Sequence, residues 1–215
     1  MKEEGKRKFL QVGATIVVLA IIIGGVYLLS QNDAKKTKNE DTKDEAITLS
    51  IQEGDWVKGP REAKVVIIEY SDFECPACAF TAEALKNLQD KYPNDVAIIH
   101  RHFPLSYHEA AFEAAVATEI AGENGLFWEM YYKIFENQDT LNHEKILQIA
   151  EELGLNRSNL EASLDSDTYK DKIYADQLEG QDLKIDHTPT LYVNGKEYKG
   201  NLAEASIEQE IRQYL

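Results

Sequence analysis

The segment from residue 63 to residue 92 constrains the fold of this chain more than any other feature. Ala63 to Tyr70 is an apolar run rich in β-branched residues, which is typical of a buried central strand. A helical pattern follows from Pro76 to about Tyr92, and proline suits the first turn of a helix, where an N–H has no partner in any case. The apolar run from Val96 to Phe103 predicts a second strand, so the unit is strand, helix, strand.

The chain beyond this unit predicts a helical insertion, a hairpin and a closing helix. Residues from about 105 to 183 follow helical patterns, and their aromatic stripes are more often core than part of a cofactor site. Strand character returns at Pro189–Val193, and Asn194-Gly195 is a strong turn signal before the return strand Lys196–Lys199. An amphipathic helix from Leu202 to Leu215 completes an α/β fold in the order β-α-β, helical insertion, β-β-α.

The N-terminal end carries a candidate membrane anchor. Residues 9–30 contain no charged side chain and would span about 33 Å as a helix, close to a hydrocarbon core of about 30 Å. The run is longer than the apolar part of a signal peptide, so we favour an uncleaved anchor over a cleaved signal, with residues 1–8 as a cytoplasmic tail. Residues 31–53 are polar and charged and predict a flexible linker to a single domain over 54–215.

The charge of the chain disfavours one class of partner. The net charge is −15, with 38 acidic residues against 23 basic ones. Such a surface repels phosphate backbones, so a nucleic acid partner is not expected. Solubility alone explains the charge well.

The chain has two cysteines, Cys75 and Cys78, at the predicted junction between strand and helix. The free N–H groups and positive potential at the start of a helix favour a thiolate at Cys75 and lower its pKa. A stabilised thiolate is also a good leaving group, which makes the disulfide of the pair easy to reduce. Cys78, one turn into the helix, should be more buried and should attack a mixed disulfide to release the partner.

Two other roles of the cysteine pair stay open from the residues alone. A structural disulfide is possible, although so short a loop stabilises a fold little. Half of a zinc site would need two further ligands, and the sequence contains no second cysteine pair. The five histidines show no ligand-like spacing, apart from His100 and His102, which alternate on one predicted strand.

The sequence around the cysteines resembles the DsbA family, including its membrane-anchored relatives. The segment from Ile67 to Cys78 carries the resemblance, together with 112–115, 121–130 and 187–195, and the likeness extends over about Gly54 to Leu215. It implies a thioredoxin-like fold with an inserted helical subdomain. It also implies a thiol–disulfide oxidoreductase that works outside the cytoplasm.

The resemblance implies roles for further residues. Pro189 matches a cis-proline beside the cysteine pair, which would leave the backbone of Thr188 free to pair with an extended substrate. The alternative is an ordinary trans proline that begins a strand. Glu69 matches a buried acid that passes protons to the buried thiol, and its alternative is a salt-bridged or rim residue. Pro76 and Ala77, between the cysteines, are expected to lie beside the substrate.

Ala77 departs from the family pattern, because the strongly oxidising members have histidine there. Histidine can help to stabilise the thiolate and alanine cannot. We therefore predict a pair that is less oxidising than that of the strongest members. His187, before the Thr188–Pro189 pair, is expected to be an ordinary surface residue.

The function implied by the resemblance is the formation of disulfides in cysteine-containing exported proteins. A membrane partner linked to quinone, similar to DsbB or VKOR, would reoxidise the pair, and the sequence implies no bound cofactor. Two alternatives stay open: a reductase or isomerase that uses the same pair, and a non-catalytic anchored module that binds peptides beside Pro189.

Overall fold

The structure, a computed structural model, describes residues 49–164 and 167–215. The predicted anchor at 9–30 and most of the predicted linker lie outside these residues. Within the described part of the chain, no helix is both long enough and apolar enough to cross a bilayer.

Five strands form one mixed sheet. β2 and β3 lie side by side and parallel at its centre, and the other three strands pair antiparallel to their neighbours. In the spatial order β1-β3-β2-β4-β5, the strands are β1 (Val57–Lys58), β3 (Val96–His102), β2 (Val65–Ser71), β4 (Thr190–Val193) and β5 (Lys196–Tyr198).

The described helices divide into two that belong to the sheet unit and five that are inserted between β3 and β4. The first two are α1 (Pro76–Lys91) and α7 (Glu204–Ile211). The inserted helices are α2 (Ala111–Glu123), α3 (Phe127–Glu136), α4 (His143–Glu152), α5 (Arg157–Ser163) and α6 (Asp167–Asp182), with a short 3-10 turn at Gln138–Thr140.

Alternation along β2 separates two faces of the sheet. Val65 and Ile67 pack with apolar residues of α1 and α7, whereas Ile68 and Tyr70 belong to a cluster on the opposite face. Glu69 continues the face of Val65 and Ile67. A third cluster joins the inserted helices to the start of α1 and includes Cys78.

The mixed α/β thioredoxin-like fold with a helical insertion is confirmed. The helix after the cysteines, the two central strands and the C-terminal hairpin lie where the sequence predicted them, with ends that differ by at most two residues. The helical insertion predicted over about 105–183 consists of the five helices α2 to α6. The edge strand β1 was missed, because two residues are too few to show a period.

Candidate active site

The two cysteines lie at the start of α1. Cys75 caps the helix with an extended backbone, and Pro76 is the first helical residue. The Cys75 carbonyl accepts hydrogen bonds from the N–H groups of Cys78 at 2.9 Å and Ala79 at 3.2 Å. Cys75 is partly exposed and Cys78 is fully buried, as the sequence predicted. Only one sulfur is therefore open to a partner.

The environment lowers the pKa of Cys75 to about 5. The largest cause is a hydrogen bond from the Cys78 side chain, and burial acts in the opposite direction. The backbone N–H groups of Ala77 and Cys78 lower the pKa further, which is the helix-start effect expected from the sequence. Cys75 is thus a thiolate at neutral pH.

Cys78 has the opposite character. Burial raises its pKa well above that of a free cysteine, and the hydrogen bond to Cys75 raises it further. The backbone N–H of Asp72 lies 3.5 Å from the Cys78 sulfur. The pair therefore holds one anion at the surface and one protonated thiol beneath it.

The Thr188–Pro189 peptide bond is cis, as the resemblance implied. The Cys75 sulfur lies 3.4 Å from the backbone oxygen of Thr188, and only the protonated form of the thiol can donate a hydrogen bond there. A groove of about 510 Å³ runs beside this contact, and its lining includes Ala77, Thr188 and Pro189. Pro76 is exposed next to the groove and is not part of its lining. His187 is exposed, as predicted, but it also lines the groove.

Glu69 is fully buried on β2. Its Oε1 accepts a hydrogen bond from the hydroxyl of Tyr131 and lies 3.3 Å from Nδ1 of His100. Its Oε2 has no hydrogen-bond partner among the residues that the structure describes. The alternative of a rim residue is therefore wrong for Glu69, whereas a buried ion pair with His100 stays open, because the two side chains are 3.3 Å apart.

The loop before Cys75 is held by residues that the sequence did not single out. The Asp72 carboxylate accepts hydrogen bonds from the N–H groups of Glu74 and Leu105, and Glu74 in turn accepts from the first N–H groups of α2. The Gln138 side chain donates to the carbonyl oxygens of Phe73 and Cys75. These contacts fix the position of Cys75 against the helical insertion.

The contacts of Gln138 and Tyr131 join residues that are more than sixty positions apart, so no local sequence pattern could reveal them. The alternation of His100 and His102 on β3 was the one available signal near Glu69. Among the described residues, no group of three or more histidine, cysteine, aspartate or glutamate side chains could hold a metal ion.

The comparison with protein families gives one match that covers most of the domain. Residues 52–213 match the family described as "Thioredoxin". A structure of BdbD from Bacillus subtilis, in its oxidised form, superposes with a TM-score of 0.67 at 25% identity, covering 75% of this chain and 93% of that one.

Two further solved structures share the fold. A thioredoxin-like oxidoreductase from Silicibacter pomeroyi has a TM-score of 0.65 at 23% identity and covers 74% of this chain and 91% of its own. The alpha-DsbA1 of Wolbachia pipientis has a TM-score of 0.68 at 20% identity and covers 77% and 93%, respectively.

The curated relatives are longer proteins. The Na⁺/H⁺ antiporter NhaA 1 of Mycolicibacterium vanbaalenii is 33% identical over 156 residues, which are 71% of this chain and 25% of the antiporter. NhaA 1 of Salinispora arenicola is 38% identical over 149 residues, or 68% and 22%. The chain spans about a quarter of the length of these relatives, and such partial coverage gives no ground for assigning antiport to it.

The structural matches and the cysteine geometry support an oxidoreductase, as the sequence predicted. The family match extends over most of the described residues, from before β1 to the end of α7. The chain belongs to the thioredoxin family and has close structural matches among DsbA-like members.

Proposed function

We propose that this protein oxidises the thiols of exported proteins by disulfide exchange through Cys75 and Cys78. The observation that carries the proposal is the opposite acidity of the two thiols. The pKa of Cys75 is lowered to about 5, and burial raises that of Cys78. A stable Cys75 thiolate makes the dithiol form favourable, so the disulfide readily accepts electrons from a substrate.

The exchange begins with a substrate thiolate that attacks the Cys75 sulfur of the disulfide. A bond forms between the substrate and Cys75, the bond between Cys75 and Cys78 breaks, and Cys78 leaves with the electron pair and takes up a proton. A second substrate thiolate then attacks the substrate sulfur of the mixed disulfide. Cys75 leaves as a thiolate, the substrate is oxidised, and this protein is reduced by two electrons.

The groove beside Cys75 supports binding of the substrate as an extended segment. Thr188, Pro189 and Ala77 line it, and the Thr188 carbonyl lies 3.4 Å from the reactive sulfur. An extended peptide placed there would bring its cysteine next to Cys75 while pairing with the backbone near Thr188. We assign Pro76 a place at the edge of the same site.

We further propose that the domain works on the outer side of a membrane. The uncharged run at 9–30 would serve as a single-pass anchor, with residues 1–8 in the cytoplasm and 31–53 as a linker to the domain at 54–215. A membrane partner linked to quinone, similar to DsbB or VKOR, would take the two electrons of the dithiol and restore the disulfide.

Trapping of the mixed disulfide tests the proposal. In Cys78→Ser the neighbouring thiol that can displace a substrate from Cys75 is absent, so disulfides between Cys75 and substrate cysteines should accumulate when the full chain is produced in an exporting host. Cys75→Ser is the matched control and should trap nothing. Reducible adducts in both variants, or in neither, would overturn the exchange through Cys75.

Two alternatives predict different results. A reductase or isomerase requires the pair to be reduced in the cell, which alkylation of free thiols before lysis would reveal. A non-catalytic module that holds peptides beside Pro189 requires Cys75→Ser to retain full function. Under our proposal the pair is mainly oxidised in the cell and Cys75→Ser is inactive.

A further inference from the structure

A row of four buried side chains leads away from Glu69 through the interior. His100 Nδ1 lies 3.3 Å from Glu69 Oε1, and His100 Nε2 lies 3.1 Å from His102 Nδ1. His102 Nε2 lies 2.8 Å from Glu119 Oε1 on α2. The side chains of Glu69 and His100 are 0% exposed, that of His102 is 1% exposed, and that of Glu119 is 9% exposed. Glu119 is therefore the end of the row that reaches solvent.

Hydrogen-bonding side chains and aromatic rings surround the row. Tyr131 from α3 donates to Glu69, and Trp56 donates to the second oxygen of Glu119 at 2.9 Å. Asp176 from α6 accepts a hydrogen bond from the His102 backbone at 3.1 Å and pairs with Lys172. Aromatic rings of Phe73 and Phe127 pack against both histidines.

The row admits two complementary arrangements of protons. In the first, Glu69 is protonated and each imidazole donates toward Glu119, which is ionised. In the second, Glu119 is protonated and each imidazole donates toward Glu69. Both histidines are neutral in both arrangements, because each ring has one donor nitrogen and one acceptor nitrogen. Three short proton shifts convert one into the other and move one net proton between the carboxyl groups.

We propose that His100, His102 and Glu119 form a relay that carries the proton exchanged between Glu69 and Cys78 to and from solvent. The inference rests on the proposed function, in which Cys78 must gain and lose a proton in a fully buried site. Glu69 Oε2, which has no hydrogen-bond partner in the described part of the chain, is free to exchange that proton.

Burial lowers the pKa of His102, so its ring is neutral, as both arrangements require. The pKa of Glu119 is lowered despite its burial, because its hydrogen bond with His102 favours the ionised carboxylate. Glu119 therefore readily releases to water a proton that reaches it.

The proton balance of the exchange follows from the two arrangements. Before the disulfide is reduced, a proton from water binds Glu119 and gives the second arrangement, and the three shifts move it to Glu69 and give the first. When a substrate thiolate breaks the Cys75–Cys78 bond, Cys78 leaves with the electron pair and Glu69 gives it that proton. During reoxidation Cys78 returns its proton to Glu69, the row shifts back to the second arrangement, and Glu119 releases the proton to water. His100, His102 and Glu119 do not touch the reacting sulfurs, so they act through Glu69.

The test uses the full chain in detergent and a dithiol peptide as the reductant of its disulfide. Glu119→Gln keeps the shape of residue 119, and its amide oxygen can still accept from Trp56, but its amide group cannot carry the proton. His102→Gln is the second variant. Each should slow the reduction of the disulfide by about tenfold, which is less than the factor of about 10² or more typical of removing a general acid itself.

The pH profile separates a relay from a structural role. After division by the thiolate fraction of the dithiol peptide, the parent rate should vary little around neutral pH. The corrected rate of Glu119→Gln should fall as the pH rises, because protons must then reach the site directly from solvent. The pKa of Cys75 should stay unchanged in both. Glu113→Gln is the matched control on the same helix, since it disrupts only an exposed pair with His143 and should behave as the parent.

A double-mutant cycle with Glu69→Gln completes the test. If the row acts as one unit, Glu119→Gln should add little to the loss caused by Glu69→Gln. A parental rate and pH profile in Glu119→Gln, or fully additive losses, would overturn the relay while leaving exchange through Cys75 intact. An unreactive parent protein would instead refute the proposed function.

Discussion

The Cys78 side chain forms a hydrogen bond with the Cys75 sulfur, and this contact does more than any other to lower the pKa of Cys75. The same contact raises the pKa of Cys78, which burial already raises. The contact between the two thiols therefore shifts their pKa values in opposite directions. The helix start, which the sequence predicts as the cause, contributes through the N–H groups of Ala77 and Cys78 but is not the largest cause.

Removal of Cys78 should make Cys75 less acidic. In Cys78→Ala the largest stabilising contact of the thiolate is lost, so the pKa of Cys75 should rise from about 5. It should stay below that of free cysteine, because the helix start is unchanged. Titration of the ultraviolet absorbance of the thiolate measures this. Cys78→Ser, which keeps a donor, should retain more of the lowering, and equal values in all three proteins would contradict the assignment.

The stability of the dithiol form should depend on pH. The pKa of Cys75 is about 5 in the folded protein and 9.0 is its ordinary value, so the unfolded chain binds more protons between these limits. The contribution of Cys75 to the free energy of unfolding should therefore rise from pH 5 to pH 9, be complete above pH 9, and vanish below pH 5. Urea unfolding of the reduced parent against reduced Cys75→Ala isolates the effect, and parallel pH curves would contradict it.

The redox potential should lie between those of thioredoxin and DsbA. A Cys75 pKa of about 5 falls between the values of about 7 and about 3.5 known for those proteins. We therefore expect a potential between about −270 and −120 mV, measured by equilibrium with glutathione. Ala77→His should make the pair more oxidising, whereas Glu83→His, further along α1, should not. A parent value near −120 mV would refute the effect of Ala77.

Loss of the Tyr131 hydroxyl should destabilise the fold. Tyr131→Phe leaves Glu69 Oε1 with His100 as its remaining partner in a fully buried site. The free energy of unfolding should fall by about 1–3 kcal/mol, as measured by urea unfolding of the oxidised protein. Tyr132→Phe is the control, because the Tyr132 hydroxyl has no hydrogen-bond partner within the described ranges. Equal losses in the two variants would show that the contact with Glu69 adds nothing.

Arg101 should be essential for docking of the helical insertion. Its side chain is fully buried and contacts Asp55 at 3.1 Å and Glu179 on α6. Arg101→Met leaves these carboxylates without their partner, so the free energy of unfolding should fall by about 3–5 kcal/mol. Arg157→Met removes an exposed ion pair with Glu144 and should leave the urea midpoint close to that of the parent. Similar midpoints in the two variants would refute the role of Arg101.

The sequence by itself determined the parts of this protein that depend on neighbouring residues. The β-branched run before Ser71, the proline after Cys75 and the Asn194-Gly195 turn predict strand, helix start and hairpin through local backbone preferences. The cysteine spacing placed one thiol at the helix start and the other one turn inside. These features depend on a few consecutive residues, so they can be read along the chain.

Only the tertiary structure decided which distant residues meet around the cysteines. Thr188 reaches Cys75 across 113 positions, Tyr131 reaches Glu69 across 62, and Glu119 reaches His102 across the space between β3 and α2. Such contacts follow from strand register and from how the insertion packs on the sheet, and both are set by long-range burial. A local pattern carries no information about these contacts. The sequence could therefore predict the thiolate at Cys75 but not the side chains that we propose as the proton path to Cys78.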